Sequence, residues 1–311
     1  MQQQLVTRSE WKYNMLYIIT WYSLSTMLSI YNKTIMAKDH LNLPLFMSAT
    51  HAGIHTLITR ILIDKHQLEQ YSLRDYMTKI VPCGMAAALE ICCGNASLVL
   101  ITLSFYTMIK SSTPVWVLAF SFVFGFEKLK LNLIGIISVI VFGVCLTIDG
   151  EPDFDLQGCV LVLFAAIASG LRWNMTQYMM RTTKKTGPMD TMYRTSPVMF
   201  VTMLLLSLYI EQPFYVYTSF KQGVVSLCIM SIGGILAFVM TLAELYLIKG
   251  TSTVTLSVAG ISKEIVVIGL SVLIYGDVLT LKTYMGLFIS ILGIIGYNYY
   301  KYSQIMMEKN K

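Results

Sequence analysis

Charged side chains inside long apolar segments are the residues of this 311-residue sequence that are best suited to bind a charged ligand. The basic residues within such segments are Lys33, Lys110, Arg172, Arg194 and Lys263. The acidic residues well inside them are Glu90, Glu244 and Glu264. Each costs at least about 2.5–3.5 kcal/mol at the centre of a helix in lipid, so each needs a partner, a cavity or a function. The excess of two cations predicts a cavity that attracts an anion.

Lys110 is the first candidate for contact with that anion. It lies about nine residues into its apolar segment, which is too deep for its ammonium to reach the membrane surface easily. Pro114 has no N–H, so the carbonyl of Lys110 loses its helical partner. Broken backbone at membrane depth is tolerated where it lines a cavity. The alternative is a proline kink in which Lys110 pairs with Glu90 or Glu244.

Lys263 is the second candidate. It follows a run of hydroxyl side chains between 252 and 262, which is unusual on a lipid-facing helix. Glu264 points about 100° away on a helix and therefore neutralises Lys263 poorly. Arg172 is equally deep, and its sequence context leaves a ligand role and an ion pair with Glu244 or Glu264 equally open.

Other polar residues complete the candidate binding set. Lys33 and Arg194 lie nearer the ends of their segments, where snorkelling to the membrane surface and ligand binding are both open. Pro197 is expected to free the carbonyl of Tyr193, as Pro114 does for Lys110.

His51 and His55 share a helix face four residues apart, as in some metal sites. Cysteine or carboxylate at matching spacing is missing, so polar packing or a hydrogen bond to substrate is favoured, and we predict neither a metal nor a cofactor. The other expected substrate contacts are Asn32, Tyr106, Thr107 and Tyr193, which with Lys110, Lys263, Arg172, Lys33 and His51 make nine.

The elements that must position these residues are membrane-spanning helices. The sequence is 55% hydrophobic and 13% charged, whereas soluble domains carry about 25% charged residues. This composition excludes a soluble globule, a disordered chain and a nucleic-acid binder. Apolar runs of about 20 residues are long enough to cross a bilayer as helices. They predict ten spans, near 13–36, 43–63, 79–100, 101–125, 131–149, 156–180, 189–210, 220–247, 252–275 and 283–300.

The charges on the connections predict the orientation. Fifteen lysines and arginines fall on the side of the termini, against three (Lys38, Lys221 and Lys282) on the other side. Because basic loops stay in the cytosol, both termini are expected to be cytosolic.

A weak internal repeat divides the chain into halves at about 13–149 and 156–300. In each half a lysine is followed after 13 to 15 residues by a glycine, and after ten more by another: Lys110, Gly125, Gly135 and Lys263, Gly276, Gly286. Five spans per half force the second half to insert upside down. Such inverted repeats are typical of secondary carriers, whose sites lie at the repeat interface near the midplane.

Several motifs, in their order, resemble a known family. They are Tyr31-Asn32-Lys33, Leu43-Pro44-Leu45-Phe46, Gly94-Asn95-Ala96-Ser97-Leu98, the run 104–114 from Ser104 to Pro114, and Ser169-Gly170-Leu171-Arg172-Trp173. Together they resemble the triose-phosphate/nucleotide-sugar transporter family of the drug/metabolite transporter superfamily, nearest to the branch of solute carrier family 35 related to GDP-fucose carriers.

This resemblance implies an all-α polytopic membrane protein of ten helices in two inverted five-helix repeats, and a carrier rather than an enzyme. It places the family's phosphate-binding lysines on Lys110 and Lys263. Two departures limit what the resemblance implies about the substrate. Plastid phosphate carriers have arginine where Glu264 stands, which argues against a small, doubly charged phosphate as substrate. The helix 7 and helix 9 motifs of GDP-mannose carriers are retained only at Tyr193 and Lys263, so guanine recognition does not carry over.

The expected function is antiport of a nucleotide sugar or sugar phosphate for a phosphorylated counter-anion across a Golgi or endoplasmic reticulum membrane. Lys110 and Lys263 would clamp the phosphates from both sides, and uncompensated lysines in an empty carrier would favour obligatory exchange. The expected partners are this substrate and membrane lipid, without nucleic acid; a homodimer is one open oligomeric state. The alternatives are a non-transporting membrane protein that modulates trafficking or another carrier, and a carrier of neutral solutes.

Overall fold

The computed structural model describes residues 8–37, 41–63, 71–126, 131–152, 154–182, 187–216, 220–250 and 253–309. All regular secondary structure in these ranges is helical. The helices are α1 (Arg8–Met36), α2 (Pro44–Leu62), α3 (Leu73–Asp75), α4 (Val81–Leu100), α5 (Leu103–Lys110), α6 (Thr113–Val123), α7 (Leu131–Asp149), α8 (Leu156–Thr182), α9 (Pro188–Ile210), α10 (Pro213–Val216), α11 (Phe220–Gly250), α12 (Thr253–Tyr275) and α13 (Leu281–Lys309). A π-helical turn, Tyr76–Ile80, joins α3 to α4.

Each apolar segment of the sequence contains helix, as its hydropathy predicts. Four stretches are long and apolar enough by themselves to cross a membrane: Leu73–Leu100, Leu156–Met180, Pro188–Ile210 and Lys221–Lys249. The prediction of an all-helical polytopic membrane protein is confirmed by these helices. The fourth segment is divided, because α5 ends at Lys110 and α6 begins at Thr113.

The division between α5 and α6 is the broken backbone that Pro114 predicts. The carbonyl of Lys110 lacks a helical N–H partner, and the Thr113 hydroxyl donates to it instead, with 2.7 Å between the oxygens. Pro197 has a smaller effect, since α9 runs through it without a break. One missing hydrogen bond is tolerated there because α2 and α4 pack along α9 and hold it in place.

The long helices pack in pairs, with α4 on α8, α2 on α9, α1 on α11 and α7 on α13. The α7–α13 pair has the closest backbone approach. A Cβ atom built on Gly143 would lie 2.4 Å from Ser290 Oγ, and one on Gly286 would lie 2.4 Å from Thr147 Oγ1. Small residues that let helix backbones touch are the usual device of helix packing in membranes.

Candidate functional site

A cavity of about 270 Å³ lies between the helix pairs, near the middle of the molecule. Its wall is formed by side chains from α1, α2, α4, α5, α6, α8, α9, α11 and α12. Seven of the nine predicted binding residues are on this wall: Asn32, His51, Tyr106, Thr107, Lys110, Arg172 and Lys263. Lys33 and Tyr193 are not among the described residues that line it.

Four charged side chains form a continuous ion-pair chain on one side of the cavity. Lys110 Nζ lies 3.2 Å from Glu90 Oε1, and the other carboxylate oxygen of Glu90 accepts from Arg172 Nε at 2.5 Å. Arg172 Nη2 donates to Glu244 Oε1 at 2.9 Å. We refer to Lys110, Glu90, Arg172 and Glu244 as the charge chain. Two nitrogens of the Arg172 guanidinium therefore hold one carboxylate each, and both oxygens of Glu90 hold a cation.

The charge chain shows the partners of Arg172, for which the sequence leaves an ion pair and a ligand role open. Arg172 is paired with two carboxylates, and its contact with Glu244 is one that the sequence suggests. Lys110 is paired with Glu90, as the alternative interpretation has it, yet it still faces the cavity. Its ammonium also donates to the carbonyl of Ala165 at 3.3 Å. Three of the four side chains are between 7% and 14% exposed and Lys110 is 19% exposed, so solvent screens the pairs only weakly.

The described side chains on the cavity wall do not carry the predicted excess of two cations. Arg194 is neutralised by Asp190, whose Oδ1 lies 2.8 Å from Arg194 Nε one turn away on α9. Asp190 sits in the first turn of α9, so the count of carboxylates well inside segments leaves it out. The Arg194 guanidinium also stacks 4.3 Å from the ring centroid of Tyr71. Its side chain is 9% exposed and paired.

Lys33 points away from the cavity for a similar reason. Its ammonium donates to the carbonyls of Leu98 and Ile101, where α4 ends. These are helix-terminal carbonyls, which lack partners inside the helix. Lys33 therefore fastens the end of α1 to the end of α4.

Lys263, on α12, lines the same cavity as the charge chain. Its Nζ is 3.1 Å from Ser25 Oγ and 4.8 Å above the ring of Trp21, both on α1. A cation over an indole face is attracted by the ring quadrupole. The side chain of Glu264 lies outside the described residues. Among the described side chains that line the cavity, three cations face two carboxylates, which leaves one net positive charge.

Uncharged polar groups line the remaining wall. Asn32 on α1 donates to Asn95 on α4, and Asn95 donates to Ser48 on α2 at 2.8 Å. His51 is buried beside Gly233 of α11, and a Cβ atom on that glycine would lie 2.7 Å from its Nε2. Within the described part of the chain, no group of three or more histidine, cysteine or acidic residues could hold a metal ion.

Two residues of the cavity wall that contact the predicted cations are missing from the sequence-based binding set. Glu90 appears there only as an acidic residue that needs a partner, and Trp21 does not appear at all. Glu90 could have been found by asking which carboxylate lies at the same depth as Lys110 and Arg172. Trp21 carries no comparable signal, because an indole in an apolar segment is ordinary.

Apolar helices of membrane-spanning length around a buried, charged, polar cavity define an integral membrane protein of the transporter class. The chain belongs to the Triose-phosphate Transporter family, which it matches over residues 13–298. This membership confirms the family that the sequence motifs resemble, and it assigns the protein to transporters rather than enzymes.

Similar proteins agree with that family. A protein of Arabidopsis thaliana named "Probable sugar phosphate/phosphate translocator" is 37% identical over 305 residues, which cover 93% of this chain and 73% of that protein. UDP-uronic acid transporter 1 of Arabidopsis thaliana is 23% identical, covering 90% of this chain and 93% of that protein. A solved crystal structure that is 12% identical has the same fold, with a TM-score of 0.54 and coverage of 93% of this chain and 96% of that one.

Proposed function

We propose that this protein is an antiporter that exchanges a nucleotide sugar or a sugar phosphate for a phosphorylated counter-anion. The observation that carries the proposal is that Lys110 on α5 and Lys263 on α12 line the same buried cavity. Two ammonium groups can hold the oxygens of a phosphate from two sides through charge-assisted hydrogen bonds. The names of the two relatives, a sugar phosphate/phosphate translocator and a UDP-uronic acid transporter, both describe phosphorylated anions.

The neutral polar groups would select the rest of the substrate. Tyr106, Thr107, Asn32 and His51 line the same cavity and offer hydroxyl, amide and imidazole groups. Such groups suit the hydroxyls of a sugar, since each buried donor or acceptor disfavours a molecule that leaves it without a partner. The resemblance to the branch related to GDP-fucose carriers stays a prediction.

We further propose ten spans in two inverted halves, about 13–149 and 156–300. The packing supports this arrangement: exchanging the halves converts the α1–α11 pair into the α8–α4 pair, and it maps α7–α13 and α2–α9 onto themselves. The turns after α6 and α12 also correspond, because Gly125 and Gly276 both have a positive φ, of 71° and 70°. Only glycine adopts that conformation without steric cost.

The proposed orientation has both termini in the cytosol and the protein in a Golgi or endoplasmic reticulum membrane. A cysteine placed in the acidic loop 149–155 should be lumenal and shielded from a membrane-impermeant maleimide in sealed, right-side-out secretory vesicles. A cysteine placed at Lys184 should react. The background to remove first is Cys145 and Cys228, which are exposed on the helix surface. Labelling in the acidic loop and none at Lys184 would reject this topology.

The test of the function is exchange in proteoliposomes, with inorganic phosphate, glucose 6-phosphate, UDP-glucuronate and free glucose as probes. We expect exchange of a phosphorylated probe and none of free glucose. Lys110→Ala and Lys263→Ala should each remove a charge-assisted interaction of about 1.5–3 kcal/mol, which raises the half-saturating concentration roughly ten- to a hundredfold or more. Lys→Arg should restore only part of it, because a planar fork does not replace a compact ammonium.

The matched control is Lys282→Ala, since this lysine is 63% exposed and pairs with Asp149 far from the cavity. Its half-saturating concentration should equal that of the native protein. Melting temperature without substrate separates binding from folding: Glu90 keeps Arg172 when Lys110 is removed, so Lys110→Ala should still fold. Uptake of free glucose would favour a neutral-solute carrier, and failure with every probe would favour a non-transporting protein.

A further inference from the structure

We infer that Glu90 is a tethered counter-ion that occupies the phosphate position at Lys110 in the empty carrier and so permits the carrier to return without substrate. This inference rests on the proposed function. It assigns the degree of coupling between the two exchanged anions to one side chain, Glu90. Glu90 would be a positioning residue that competes with the substrate for Lys110.

The contact geometry supports competition. Glu90 presents its two oxygens to two different cations, Lys110 at 3.2 Å and Arg172 at 2.5 Å. A carboxylate and a phosphate offer an ammonium the same kind of anionic oxygen. Lys110 has three N–H donors and already donates to Glu90 and to the carbonyl of Ala165, so a phosphate that takes more than one donor competes with Glu90. The Arg172 contact is the shorter one, and it uses the oxygen that Lys110 does not touch.

The partners of Glu90 make its displacement feasible. If a phosphate takes Lys110, Glu90 keeps the guanidinium of Arg172 and is not left as an isolated buried charge. Arg172 is in turn held by Glu244 at 2.9 Å, so its position does not depend on Lys110. A buried carboxylate stripped of every cation would be strongly unfavourable, and the second link of the charge chain avoids that state.

The charge balance gives the consequence for transport. Without substrate the charge chain contains two cations and two carboxylates, so it has no net charge. A carrier whose lysine lacked such a counter-ion would expose an uncompensated charge when it changes conformation empty, and this cost would enforce strict exchange. With Glu90 in place, that part of the cost is absent. We therefore expect measurable net transport beside faster exchange.

The experiment compares net efflux with exchange for the same probe. Proteoliposomes are loaded with whichever of labelled inorganic phosphate, glucose 6-phosphate or UDP-glucuronate exchanges fastest. Efflux is then measured into buffer without substrate and into buffer with the same unlabelled probe, with potassium and valinomycin on both sides to remove voltage. The native protein should show net efflux. Glu90→Gln should lower the ratio of net efflux to exchange by up to about 100-fold, which corresponds to the cost of exposing one uncompensated charge in the membrane. It should also lower the half-saturating concentration for exchange, because the substrate then has no carboxylate to displace from Lys110.

Glu244→Gln is the discriminating variant, because it removes the same charge from the same chain but leaves the Lys110–Glu90 contact in place. Its ratio should change much less than that of Glu90→Gln. Glu90→Asp is the second variant in case Glu90→Gln does not fold: it keeps the charge but is one methylene shorter, and it should shift the ratio in the same direction. Melting temperatures establish which variants fold.

Three results would overturn the inference while leaving the proposed antiport intact. They are exchange without any net efflux in the native protein, a ratio in Glu90→Gln equal to the native ratio, and equal effects of Glu90→Gln and Glu244→Gln. If none of the three probes exchanges, the proposed function itself is wrong, and the inference fails with it.

Discussion

Replacing Arg172 by alanine should destabilise the protein more than removing any other cation of the cavity. The guanidinium holds Glu90 at 2.5 Å and Glu244 at 2.9 Å, and these carboxylate side chains are only 12% and 7% exposed. Among the described contacts Glu244 has no other ion pair, whereas Glu90 keeps Lys110. Removal of one partner from a buried ion pair costs about 3–5 kcal/mol, so Arg172→Ala should lower the free energy of unfolding by about that amount.

The measurement is reversible unfolding in mixed micelles with increasing fractions of dodecyl sulfate, without substrate. The control is Arg60→Ala, because Arg60 is exposed in the last turn of α2 and surface substitutions change stability by about 0.5 kcal/mol or less. The double variant Arg172→Ala/Glu244→Gln should recover much of the loss, since the carboxylate that Arg172→Ala strands is then neutral. If Arg172→Ala unfolds like the native protein, or if Glu244→Gln brings no recovery, the charge chain does not stabilise the fold in the way argued here.

Two further predictions concern other contacts. Gly143→Ala should destabilise the protein by about 1–3 kcal/mol, because the new Cβ would lie 2.5 Å from the backbone nitrogen of Ser290. The control is Gly135→Ala on the same helix, where a new Cβ has nothing within 4 Å and should not destabilise the protein. Equal melting temperatures for the two variants would contradict the close crossing. Trp21→Leu should weaken substrate binding by up to about 2 kcal/mol if the indole positions Lys263. Trp21→Phe should keep part of that binding, and equal half-saturating concentrations in exchange for Trp21→Leu and the native protein would refute the role of the ring.

The helices could be placed from the sequence because membrane-spanning segments are long, apolar and separated by charged connections. The break at Lys110 was also predictable, since Pro114 removes a specific hydrogen bond. The partners of the charged residues were harder to predict. Which side chain meets Glu90 depends on the rotation of α4 against α5 and α8, and hydropathy does not fix that rotation.

The charge of the site illustrates the same limit. A count of residues along the chain treats Arg194 and Lys263 as equivalent buried cations. In the structure Arg194 is neutralised by Asp190 on its own helix, whereas Lys263 lies over Trp21 on the cavity wall. The sequence thus predicted that Lys110 and Lys263 share a cavity, but it also included Lys33 among the substrate contacts and did not predict how much of the charge is already compensated.

The close crossing of α7 and α13 also has a consequence for biosynthesis. The two helices are 19 and 29 residues long, and α13 is the last helix that the structure describes. At about 5–20 residues per second, the roughly 160 residues from Asp149 to Lys309 take about 10 to 30 s to synthesise. Throughout that interval the face of α7 that carries Gly143 has no α13 to contact, and it must be covered by lipid or by the insertion machinery. A chain that stops before α13 keeps this face exposed, which gives cellular quality control a surface by which to distinguish an incomplete carrier from a finished one.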